Sequence, residues 1–113
     1  MDSVLTYSDI LRATFGRMAE WLKRIRKPDV ETIFVEDTAH EQFVLMRVGW
    51  HDRKRVDNTV VHARIKNGKI WIEQDNTDAT LADELLRAGV PKEDIVLAFH
   101  PPELRRLTEF APA

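Results

Sequence analysis

The dipeptide Asn67-Gly68 constrains this chain more than any other feature. It lies between two runs rich in β-formers, from about Arg55 to Lys66 and from Lys69 to Asp75. A two-residue type I′ connection needs positive φ at both central positions, which Asn-Gly tolerates well. Because side chains alternate along a strand, the turn also sets a register. It places Ile65 opposite Ile70, Ala63 opposite Ile72 and Val61 opposite Gln74, a mostly apolar face that should pack on a helix. On the other face Arg64 meets Trp71, His62 meets Glu73 and Val60 meets Asp75. That face is polar with one large aromatic, so it is either solvated or a partner surface.

The rest of the chain supplies helices for the apolar face. Val4, Tyr7, Leu11, Thr14, Met18, Trp21 and Ile25 recur at three-four spacing, widened by Ile10, Phe15 and Leu22. This predicts a helix from Ser3 to Arg26, capped by Ser3 or Asp2, basic in its last turn and stopped by Pro28. Such a helix would be roughly 36 Å long and would overhang a small sheet. Further strands are expected at Glu31–Glu36 and Gln42–Trp50. A second helix runs from about Asp78 to Ala88 with Leu81, Ala82, Leu85 and Leu86 as its buried stripe. Thr77 or Thr80 can cap it, and Gly89 ends it in the left-handed conformation before Pro91. Ile95, Val96, Leu97 and Phe99 form a short buried run, and a short helix follows from Pro102 to about Leu107. The expected fold is α+β, a long N-terminal helix on a mostly antiparallel four-stranded sheet, in a single domain spanning residues 1–113. The overhanging helix and the lone aromatic on the polar face predict a two-fold homodimer.

Composition narrows the function classes. The chain has no cysteine, which excludes disulfides and thiolate zinc sites. No apolar run approaches the ~20 residues needed to cross a bilayer. Met1-Asp2-Ser3-Val4 does not resemble the start of a secretory signal, so a cytoplasmic protein is expected. The formal net charge of −2 argues against an autonomous nucleic-acid binder. The serines Ser3 and Ser8 sit in the first helix, with no nucleophile elbow. His40-Glu41 is half a zinc-helix motif, but Val44 stands where the second histidine belongs. His40, His51, His62 and His100 show no ligand spacing, so no metal or other cofactor is expected. Pro28-Asp29 with Asp52-Arg53-Lys54 imitates a magnesium-nuclease pattern, which needs two carboxylates converging on a metal and a lysine beside the phosphate. Asp29 at a helix exit and Asp52 and Lys54 in a turn fit that requirement poorly. Two basic clusters, Lys23-Arg24 with Arg26-Lys27 and Arg53-Lys54-Arg55, read first as helix-dipole complementation and a solvated hairpin tip.

Several segments taken together resemble one family. They are Arg47-Val48-Gly49-Trp50 with Arg55-Val56; Ile65-Lys66-Asn67-Gly68-Lys69-Ile70-Trp71-Ile72 through Gln74-Asp75 and Thr77; Ala88-Gly89-Val90-Pro91-Lys92-Glu93-Asp94-Ile95-Val96-Leu97; and Phe99-His100-Pro101-Pro102 with Arg105, Thr108, Phe110 and Ala111. In order and spacing they resemble the XisI family, the fdxN element excision controlling factors of cyanobacteria. The chain departs from the family pattern at Asp57, Asn76, Ala79 and Leu107. The resemblance implies an accessory or regulatory factor in the programmed excision of a DNA element during heterocyst differentiation. It would act with a site-specific recombinase and a XisH-like partner, without catalysis of its own and with any DNA contact indirect. The alternatives are a cryptic metal-dependent nuclease using Asp52 and Lys54, or a stand-alone DNA-binding module. A shared binding surface is expected among polar residues of the matched segments that packing does not explain: Arg55, His62, Asp75, His100, Arg105 and Thr108. The competing structural roles are an Arg105–Glu109 pair, a Thr108 cap on the last turn and a His62–Glu73 cross-strand pair.

Overall fold

Asn67 and Gly68 both hold positive φ, 54° and 74°, as the type I′ turn requires. The computed structural model describes residues 6–25, 29–77 and 80–113. Four strands, β1 (Val30–Asp37), β2 (Gln42–His51), β3 (Lys54–Lys66) and β4 (Lys69–Asp75), form an antiparallel meander. Helix α2 (Thr80–Arg87) then crosses over to β5 (Ile95–Leu97), which pairs in parallel with β4. The sheet therefore has five strands in sequence order, not four. Ile95-Val96-Leu97 is too short to show a period, and its first two residues are buried on opposite faces, as in a parallel strand.

The long helix α1 (Tyr7–Ile25) opens with a reciprocal cap at Thr6 and Asp9. Thr6 Oγ1 accepts from the Asp9 N–H (3.1 Å), and Asp9 accepts from the Thr6 N–H (3.2 Å). The expected Ser3 or Asp2 cap, the Pro28 stop and Asp78 at the start of the second helix lie outside the described residues. Helix α1 buries Leu11, Thr14, Phe15, Met18, Ala19 and Leu22 against the sheet. Phe15 sits 5.6 Å from Phe34 and 6.2 Å from Phe43, ring to ring. Val61, Ala63, Ile70 and Ile72, the face set by the hairpin, are buried in the same core with Leu81 and Leu85 of α2. Arg12 clamps Glu36 of β1 with two bonds (2.8 and 2.6 Å), which holds the Glu36 carboxyl below the usual range. The Tyr7 hydroxyl donates to Asp94, and this bond pushes the phenol up to about 12.

Two bulges change the expected register. Ala63 faces Ile72 but His62 faces Gln74 and Val61 faces Asp75, so Glu73 is an extra residue on β4. Glu73 consequently bonds Arg64 (2.7 Å), not His62, and the pairs Val61–Gln74 and Val60–Asp75 do not form. On the other edge of β3, Leu45 faces Val61 and Met46 faces Thr59, which makes Val60 an insertion. Val60 and Val61 are both buried, and beyond them the alternation of β3 flips phase. Asn58, opposite Arg47, is thereby carried onto the helix side of the sheet.

The described helix is shorter than the longest strand. At 19 residues α1 is about 28 Å long, whereas the 13 residues of β3 span about 43 Å. The far end of the β2–β3 hairpin projects instead, with Trp50 exposed. Trp71, the aromatic of the outer face, is covered by the chain itself. It packs with Val96 and Ala111, and its indole N–H donates to the Lys66 carbonyl (3.1 Å). The Ala111 N–H reaches the Ile95 carbonyl (2.9 Å) and closes the C-terminal segment over it. No helix among the described residues is long and apolar enough to cross a membrane.

Candidate binding site

The six expected residues fall in four places. Arg55 sits near the hairpin tip, its guanidinium 5.5 Å from the Trp50 ring centroid and 3.4 Å from the Gly49 carbonyl. His62 lies in the middle of β3 and bonds Gln42 Oε1 of the neighbouring strand (2.7 Å). Asp75 ends β4, accepting from the Thr77 N–H (2.8 Å) and hydroxyl and from the Leu81 N–H (3.1 Å). The Asp75 carboxylate, placed upstream of the helix, thus satisfies a donor in the first turn of α2. The cap expected from Thr80 involves a side chain outside the described ones.

His100, Arg105 and Thr108 do come together, at the turn around α3 (Pro102–Arg105). Arg105 Nε donates to the His100 carbonyl (2.8 Å) and Nη2 to the Ala98 carbonyl (3.2 Å). Its guanidinium lies 5.5 Å from the Trp71 ring centroid. Thr108 Oγ1 donates to the Arg105 carbonyl (2.7 Å) and accepts from the Phe110 N–H (3.2 Å). The Arg105–Glu109 pair does not form, because Glu109 bonds Lys92 (3.2 Å). Arg105 and Thr108 therefore hold the C-terminal turn against Trp71.

The nuclease pattern finds little geometry. Asp52 and Arg53 are the two left-handed residues of a second tight hairpin turn, φ 50° and 66°, and the Asp52 carboxylate is 82% exposed beside His51. No cluster of three or more metal-ligating side chains occurs among the described residues. Gly49 in the same region has a backbone reason. A Cβ there would lie 2.0 Å from the Asp29 carbonyl oxygen, which accepts from the Trp50 N–H (3.1 Å).

The residues that stand out were not among the six. Beneath the last turn of α1 lies a pocket of about 320 Å³ lined by Trp21, Leu22, Ile25, Arg47, Asn58, Thr59, Val60, Gln74, Asn76 and Thr77. A second cavity of about 350 Å³ adjoins it between α1 and α2, sharing Trp21, Leu22 and Thr77 and ending at Arg17 and Glu84. Trp21 is 56% exposed. The Arg47 Nε is buried without a hydrogen-bond partner, as is Thr32 Oγ1 on the same rung of the sheet. The signal for Arg47 was in the sequence, since it continues the inward phase of Phe43 and Leu45 where an apolar residue belongs. Asn58 gave no such signal, because the Val60 bulge decides its face.

The XisI protein family model matches residues 1–112, essentially the whole chain. The chain belongs to the XisI family. Among solved structures, a XisI-like protein from Anabaena variabilis ATCC 29413 is 36% identical with a TM-score of 0.87, over 95% of this chain and 96% of that one. The fdxN element excision controlling factor XisI from the same organism is 39% identical with a TM-score of 0.67, over 93% of this chain and 100% of that one. No curated protein matches. The structure gives the quoted segments physical content: the hairpin turn at Asn67-Gly68, the close approach at Gly49, the helix stop at Gly89 and the Arg105–Thr108 lock.

Proposed function

We propose that this protein is an accessory factor in the programmed excision of a DNA element, working through a XisH-like partner beside a site-specific recombinase and without catalysis of its own. The observation that carries this reading is 39% identity over 93% of the chain to an fdxN element excision controlling factor. The described surface agrees with a binding role. Trp21, Trp50 and Phe99 are large aromatic side chains left in solvent, a residue class enriched where partners meet. A net charge of −2 fits protein contact better than direct DNA contact.

The proposal includes a homodimer, on grounds other than helix overhang. Ile33, Val35, Val44 and Met46 pair across β1 and β2 on the sheet face opposite α1 and belong to neither core cluster. Sedimentation at micromolar concentration tests this, and a single 13.1 kDa species rejects it. The partner is tested by co-expressing the protein with a XisH-like protein. Co-elution in one peak on size exclusion supports the reading, and separate elution at every salt concentration refutes it.

A further inference from the structure

The groove beside Trp21 holds chemistry that the fold does not use. Strand β2 sends Phe43, Leu45 and Arg47 toward α1, and only the first two enter the core. Arg47 makes no hydrogen bond or ion pair with any described residue, and its Nε is buried. A buried donor left unmade costs about 1–3 kcal/mol, more when charged. A leucine or methionine in this inward position would avoid that cost, so packing does not explain the arginine. Around it, Gln74 and Asn76 donate their amide N–H groups to the Thr59 carbonyl (3.2 and 3.1 Å), leaving the side-chain oxygens as acceptors. Leu22, Ile25 and Val60 supply apolar wall, and Trp21 stands half-exposed at the rim.

We propose that this groove docks a polypeptide segment bearing one carboxylate, which pairs with the Arg47 guanidinium while a neighbouring apolar side chain covers Trp21. The charge selects the anion. One guanidinium neutralises one carboxylate in a two-pronged geometry that lysine cannot reproduce. A phosphate dianion would be only half neutralised by the single guanidinium. The amide oxygens of Gln74 and Asn76 suit the backbone N–H groups of an extended segment. The inference rests on the proposed function only in taking the occupant to be a polypeptide.

The test uses the full chain and a blocked leucine–aspartate–leucine tripeptide, its asparagine isostere and inorganic phosphate. The Arg47 Nε–H and Trp21 indole signals are followed in ¹H–¹⁵N spectra. The aspartate peptide should shift both signals saturably, the asparagine peptide should bind about tenfold more weakly, and phosphate should leave both in place. Arg47→Gln should erase the preference for aspartate over asparagine. Trp21→Ala, at an exposed site that leaves the core intact, should weaken both peptides equally. Equal binding of the two peptides, a larger Arg47 shift with phosphate, or no saturable shift overturns the proposal. If Arg47→Gln fails to fold, the isostere comparison on the parent protein still decides. A negative result here alongside a stable XisH-like complex moves the partner to another face. Peptide binding without any such complex keeps the groove and refutes the partner.

Discussion

Arg105→Ala should unfold the C-terminal lock at a cost that can be worked from its contacts. The substitution removes two hydrogen bonds from a charged donor to the His100 and Ala98 carbonyls. The site is part-buried, which puts each bond near 1 kcal/mol, below the value for fully buried charged pairs. It also removes the guanidinium from the face of Trp71, worth about 0.5–1 kcal/mol. The total is about 2–3 kcal/mol. With an unfolding entropy of about 2.1 cal/mol/K per residue over 113 residues, Tm should fall by about 8–13 °C. Arg105→Lys keeps charge near the indole but cannot reach both carbonyls, so it should lose roughly half as much. Arg55→Ala, with one long bond and a guanidinium over the Trp50 ring at an exposed tip, should cost about 1 kcal/mol or less. Thermal unfolding by far-UV circular dichroism measures all three. Tryptophan emission adds a local readout, because Trp21 and Trp50 are already exposed and only Trp71 is buried. An Arg105→Ala protein that melts within 2 °C of the parent, with unshifted emission, would refute the lock and return Arg105 to the candidates for partner contact.

Three further outcomes follow from the packing. Ile72→Ala removes buried methyls from a side chain that is 1% exposed and should cost about 2–5 kcal/mol in urea unfolding; a cost below 1 kcal/mol would mean the hairpin register is wrong. Gly49→Ala forces a Cβ to 2.0 Å from the Asp29 carbonyl and should cost more than about 3 kcal/mol, so a near-neutral result would deny the close approach. Tyr7, raised from 10.0 to about 12 by its bond to Asp94, contributes stability that is full below pH 10 and lost as pH rises toward 12. The gap in urea midpoint between the parent and Tyr7→Phe should close over that range, and a gap independent of pH contradicts it.

How far the fold could be read in advance differs from segment to segment. Asn67-Gly68 set the local pairing down to Ala63 and Ile72, because turn chemistry and alternation act over a few residues. The shift one residue further, at Glu73, has no local signature, since a bulge is settled by which side chains the finished sheet can accommodate. The overlooked fifth strand is similar. Three residues cannot show a period, and β5 exists because α2 returns the chain beside β4. Trp71 was visible as an anomaly on a polar face, but its cover, Ala111, comes from 40 residues away in sequence. The Thr108 cap on the last turn is legible in the sequence and forms, whereas Arg105 binds backbone carbonyls that no side-chain pattern reveals. Arg47 is legible as a cation continuing the inward phase of Phe43 and Leu45.

Excision itself is the most direct test. In a heterocyst-forming strain lacking this gene, the junction left by the excised element is quantified by PCR after nitrogen step-down. A protein that controls excision through a partner predicts that the junction product disappears in the deletion strain. It returns with the parent gene and, on the reading that neither side chain does chemistry, also with an Asp52→Asn, Lys54→Ala gene. An undiminished junction in the deletion strain would contradict the role in excision. Failure of the Asp52→Asn, Lys54→Ala gene to restore it, with the variant protein folded and abundant, would contradict a non-catalytic factor.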